Sequence, residues 1–156
     1  MTVLCVAATA LLLMQSGTTK PAPAKPAPAR PAAAKPAATD VAVTLTYKGK
    51  GTVDANHQLI AWLFTEADIT GDSRPIATLS TAKNGDTLVF KDVPATPVYI
   101  FAAYDSRGGY DGRNSAPPAG IPTALYSKGA KGAAIPVKAG GPPVKLTFDD
   151  SQPWNK

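Results

Sequence analysis

"LVFKDVPATPVYIFAAYD", residues 88–105, sets two strand-like segments on either side of a proline-rich turn. It begins inside "TLVFKDV" (87–93), an alternating segment suited to a half-buried strand. Two prolines, Pro94 and Pro97, then interrupt it. Each fixes φ and lacks an N–H, so the chain turns here and no helix is built. "VYIFAAY" (98–104) follows, the most apolar run after residue 40. Its seven residues end at the glycine-rich "DSRGGYDG" (105–112), which reads as the exit turn of a central strand.

Upstream and downstream of this pair the chain keeps a period of two. "VAVTLTY" (41–47) sets Val41, Val43, Leu45 and Tyr47 on one face. "QLIAWLF" (58–64) is more continuously apolar, as a strand covered on both sides should be. "IATLSTA" (76–82) alternates again, and "NGD" (84–86) after it predicts a type I′ hairpin into 87–93. "AAIPVKA" (133–139) and "VKLTFDD" (144–150) complete the set, with Pro136 marking the former as an edge or bulged strand. Seven short strands separated by Gly/Pro turns predict an all-β, antiparallel, seven-stranded Greek-key-type sandwich over residues 41–150. Trp62, Phe64, Phe90, Tyr99, Phe101 and Phe148 are its expected aromatic core.

The pattern F-x-D-V-P…Y-x-I-x-A-x-x-D, met here at Phe90, Asp92, Val93, Pro94, Tyr99, Ile100, Ala102 and Asp105, resembles the prealbumin-like (transthyretin-like) sandwiches. These include carboxypeptidase regulatory-like domains and secreted bacterial proteins of unknown function, and "GIPTALYS" (120–127) is similar to a segment of the bacterial group. The resemblance implies that Phe90 and Val93 pack inward, that Pro94 turns the chain and that Tyr99 returns through the core. It also implies a binding or stability module at the cell envelope with no catalytic role of its own.

The first forty residues differ in kind. "MTVLCVAATALLLM" is too short for a membrane span, which takes about 20 residues, and fits the apolar region of a signal peptide. Residues 1–19 therefore read as a signal-like segment, with Gly17, Ala22 and Ala24 as candidate cleavage positions. No Lys or Arg precedes the apolar run, so the signal is atypical or the true start lies upstream. Residues 20–40 read as a disordered Pro/Ala linker in which Lys20, Lys25, Arg30 and Lys35 are each followed by proline. Such a tract spaces a domain from its anchor, and its cations suit an anionic membrane or cell-wall surface. The last residues, 151–156, read as a tail.

Charge and composition exclude several functions. The formal net charge is +5, but the first forty residues hold four basic residues against Asp40 alone. The remainder is nearly balanced, with 12 basic and 10 acidic residues, and lacks the basic face a nucleic-acid domain needs. Cys5 is the only cysteine, so the domain carries no internal disulfide and no thiolate metal cluster. His57 is the only histidine and sits in the polar turn "DANHQ". With no nucleophile motif beside it, no enzyme is predicted and no catalytic residue or cofactor is assigned.

Calcium is the one cofactor to weigh, with Asp105 and Asp111 as candidate ligands. Loop sites take oxygens from alternate positions, and here these fall on Arg107 and Gly109. Arg107 places a cation where an oxygen belongs, so the loop is expected to be a structural turn with an Asp105–Arg107 ion pair. The loop beyond it, 108–122, is long and has no element of its own, as binding loops often do. Tyr110 and Arg113 there, with Tyr126 and Trp154, are the candidate binding surface. Two functions are expected: an exported, envelope-associated binding or structural module with a protein or glycan partner, or a small carbohydrate-binding module stacking sugars on those aromatics. For Trp154, packing over the open end of the sandwich is the competing expectation.

Overall fold

The computed structural model describes residues 38–113, 116–129 and 132–155. The signal-like segment 1–19 and the linker up to residue 37 lie outside the described residues. Seven strands form two sheets, and no helix occurs among the described residues. In chain order they are β1 (Val41–Tyr47), β2 (Leu59–Phe64), β3 (Ala77–Thr81), β4 (Thr87–Phe90), β5 (Tyr99–Tyr104), β6 (Thr123–Leu125) and β7 (Val144–Phe148). One sheet has the order β4-β1-β7 and the other β3-β2-β5-β6. They pack face to face as a β-sandwich-like pair.

The core between the sheets follows from the period of two. Val41, Val43, Leu45 and Tyr47 of β1 point inward, opposite Leu59, Ala61 and Leu63 of β2 and Ile100, Ala102 and Tyr104 of β5. Phe90 and Val93 are buried in this core, as the F-x-D-V-P pattern implied. Between them Asp92 takes a left-handed backbone at φ 49°, and its N–H donates to Asp40 Oδ1 at 3.2 Å. Val93 N–H donates to the Thr39 carbonyl at 2.9 Å, so Thr39 and Asp40, counted above as linker, are bonded into the sandwich. Tyr99 is only half-buried, unlike the other five residues of the expected aromatic core.

Three elements differ from expectation. First, the pairing is not all antiparallel: β1 and β7 run parallel, from Val43↔Val144 to Tyr47↔Phe148. Second, 133–139 forms no strand. Pro136 cannot donate to a ladder, and only single bridges, Ala134 to Ser127 and Val137 to Val98, hold the segment. The seventh strand is instead β6, three residues on the edge of β5.

Third, "NGD" is not a hairpin. The strands on either side of it, β3 and β4, belong to different sheets. Gly85 has φ 75°, but Asn84 does not share the positive φ that type I′ needs. The Asn84 side chain acts as a peptide unit would: its Oδ1 accepts from Tyr47 N–H at 2.9 Å and its Nδ2 donates to the Tyr47 carbonyl at 2.8 Å. Gly85 N–H donates to the Leu45 carbonyl, and Leu45 N–H to the Asp86 carbonyl. The turn is thus stitched to β1 and carries the chain across the end of the sandwich.

Candidate functional site

β2 and β5 are apolar on both faces, so the face of their sheet that looks away from the sandwich also needs a cover. Ile60, Trp62, Phe64, Phe101 and Ala103 line it. The cover comes from irregular chain: Ile121, Trp154 and, half-buried, Ile69, Tyr110 and Ala116. The long loop after β5 is therefore folded back over the sheet. Its side chains make a second core.

The turn at 105–112 is what folds it back. Asp105 is 1% exposed, and its carboxylate gathers three backbone donors. Oδ1 accepts from Arg107 N–H at 3.2 Å and Gly108 N–H at 3.0 Å, and Oδ2 accepts from Tyr110 N–H at 2.8 Å. An ionised acceptor makes such bonds stronger than neutral ones. The expected Asp105–Arg107 ion pair is absent among the described residues. Arg107 Nη2 donates instead to the Ala119 carbonyl at 2.6 Å, tying the turn to the far end of the loop. Asp111 does not join Asp105: its carboxylate meets Arg113 Nε at 3.3 Å. Among the described residues no three His, Cys, Asp or Glu side chains gather in one place.

Past the turn, Gly112 lies flat on the sheet. Trp62 Nε1–H donates to its carbonyl at 2.8 Å. A Cβ there would come to 2.6 Å from Ile60 Cγ2, and φ is 72°, so both space and backbone require glycine. The Tyr110 ring stands 6.2 Å from Trp62, and burial pushes its hydroxyl pKa up to about 12. The C-terminal residues close the cover. Trp154 N–H donates to the Ile121 carbonyl at 2.8 Å, Gly120 N–H to the Trp154 carbonyl at 2.7 Å, and the indole packs edge-on to Phe101. Residues 151–155, expected as a tail, are part of the fold.

The four candidate binding residues are therefore not one platform. Trp154 is 8% exposed in the outer core. Tyr110 is half-buried in the same core, and Tyr126 is half-buried against the inner one. A sugar-stacking surface needs these rings together and open; here Trp154 is buried and Tyr126 packs on the opposite core from Tyr110 and Trp154. Arg113 is different, its side chain 88% exposed. With Asp111 it borders an open groove of about 710 Å³ along β3, whose other walls include Arg74, Ile76, Thr78 and Ser80. This groove is the candidate site. Arg113 was legible in the sequence by residue type and the strand at 76–82 by its alternation, but not the groove beside it, because which strand becomes a sheet edge is decided by topology.

At one end of the sandwich the Tyr47 and Tyr104 rings stack at 4.1 Å. The Tyr47 hydroxyl donates to Asp150, whose other oxygen accepts Lys50 N–H at 3.0 Å, and the Tyr104 hydroxyl donates to the Thr52 carbonyl at 3.0 Å. Burial first, and then the bond to Asp150, raises the Tyr47 pKa above its ordinary value. His57 stays in its turn, its Nδ1 3.0 Å from Asp54 Oδ1. The backbone N–H groups of His57 and Asn56 hold the Asp54 carboxyl below its usual range. Comparison of the chain with protein-family models, with curated proteins and with solved structures gives no match.

Proposed function

We propose that the chain is an exported, non-catalytic module. In this reading a prealbumin-like sandwich is held in the cell envelope by the basic Pro/Ala tract and serves there as a binding or structural accessory domain for an envelope protein. The observation that carries it is the junction between tract and domain. Thr39 and Asp40 are already hydrogen-bonded to the sandwich, and β1 starts at Val41, only a few residues after the last Lys-Pro step at Lys35. In the sequence the tract runs directly into the first strand. The burial of Phe90 and Val93 supports the prealbumin-like assignment. The open groove beside β3 supports binding. The evenly spaced cations of the tract add a weak, salt-sensitive attraction to anionic headgroups or wall polymer.

Cell fractionation of the full chain carrying a C-terminal epitope tests the reading. The expected product is in the envelope fraction, with its new N-terminus shortly after Gly17, Ala22 or Ala24. A cytoplasmic product retaining Met1 contradicts it. Replacing Lys20, Lys25, Arg30 and Lys35 by Gln is expected to release more of the processed chain at low salt.

A further inference from the structure

β3 ends its sheet, so one of its backbone edges faces no other strand of that sheet. Such edges are ready templates for another extended chain. Natural edge strands are often blunted by proline or lysine, and β3, with the sequence ATLST, has neither. Two grooves meet along it and share Ala77, Thr78 and Leu79. The outer one is the candidate site already described. The second, about 330 Å³, runs from β3 toward β4 and is walled by Val89, Phe90 and Lys91. Side chains alternate across a strand, so a segment laid along β3 would send one set into each groove.

The two grooves differ in chemistry. The outer one is lined by Arg74 and by Arg113, the latter ion-paired with Asp111, with the Thr78 and Ser80 hydroxyls between. The inner one offers Leu79 and the 38% exposed Val89, with Lys91 at one wall. We propose that the open edge of β3 takes up an extended, acidic segment of a partner protein as an added strand, its carboxylates on the arginine side and its apolar side chains toward Val89. Main-chain hydrogen bonds supply affinity in this mode, and the alternate pockets supply specificity.

Charge separates this occupant from the others at hand. The chain's own N-terminal tract repeats the positive sign, and each of its prolines removes a ladder donor. A second copy is disfavoured too. An antiparallel β3–β3 pair sets the Arg74 end of one copy against the Lys83 end of the other, like charges face to face.

The proposal rests on the binding-module reading and names the partner's chemistry. Its test is independent of export, which fractionation measures. Fluorescein-labelled peptides EVEVEVE, KVKVKVK and EVPVPVE are titrated into the full chain by fluorescence anisotropy, with amide hydrogen exchange read in parallel. EVEVEVE is expected to bind at least about tenfold tighter than either control, to weaken with salt and to slow exchange at residues 77–81. The double variant Arg74→Glu/Arg113→Glu is expected to prefer KVKVKVK, while Lys145→Glu on β7 leaves the order unchanged. Equal binding of the three peptides, no binding of EVEVEVE, or protection away from β3 overturns the proposal. These readings on the unmodified chain decide the matter even if the double variant fails to fold.

Discussion

The residue that organises the region after β5 is Asp105. Its three backbone bonds hold a buried carboxylate in a turn where calcium was the other reading. Removing the acceptor leaves Arg107, Gly108 and Tyr110 N–H groups to find water or nothing. Asp105→Ala is therefore expected to lower stability by about 3 kcal/mol in chemical denaturation. Calcium chloride is expected to leave the melting temperature of the unmodified chain unchanged, because the Asp105 oxygens are engaged and Asp111 faces Arg113. In the sequence, Arg107 and Gly109 at the alternate positions argued for a structural turn over a metal loop. They did not show where Arg107 would point, since the Ala119 carbonyl comes within reach only when the loop has closed.

At the scale of elements, the outer core depends on segments that look like loop and tail. Trp154→Ala is expected to cost about 3–4 kcal/mol and to expose Phe101 and Trp62, seen as new binding of a hydrophobic dye. A substitution in a true tail would do neither. Strands were legible where alternation ran for four residues or more, as in β1 and β7. β6 was not, because three residues between prolines and a loop carry no period. At 133–139 the alternation was present but Pro136 limited pairing to single bridges. "NGD" misled for a physical reason: its Asn side chain found a backbone partner on β1, and that contact set the turn in place of the I′ geometry.

For the whole molecule, the legible part was the class: all-β, two sheets and an apolar centre. The parallel β1–β7 pair, the second core and the free edge at β3 arise from how strands are ordered, which local pattern does not encode. The paired tyrosines give a global signature. Tyr47, Tyr104 and Tyr110 all have pKa values raised above the ordinary 10.0. The folded state thus holds these protons while the unfolded chain loses them. Their contribution is complete below pH 10 and falls away as pH rises toward the folded values, about 12 for Tyr110. Denaturation midpoints should be unaffected by these groups near neutrality and should drop steeply above pH 10. Tyr47→Phe, which ends the bond to Asp150, should reduce that slope. The proposed binding function falls on the β3 edge, and the most direct test is photocrosslinking in intact cells. A photoreactive residue at exposed Ser80 is compared with one at exposed Lys145 on β7. An envelope-located adduct is expected from position 80, mapping to an acidic extended segment of the partner, and none from position 145. Equal labelling from both positions, or a link from position 80 to a basic segment, would contradict it.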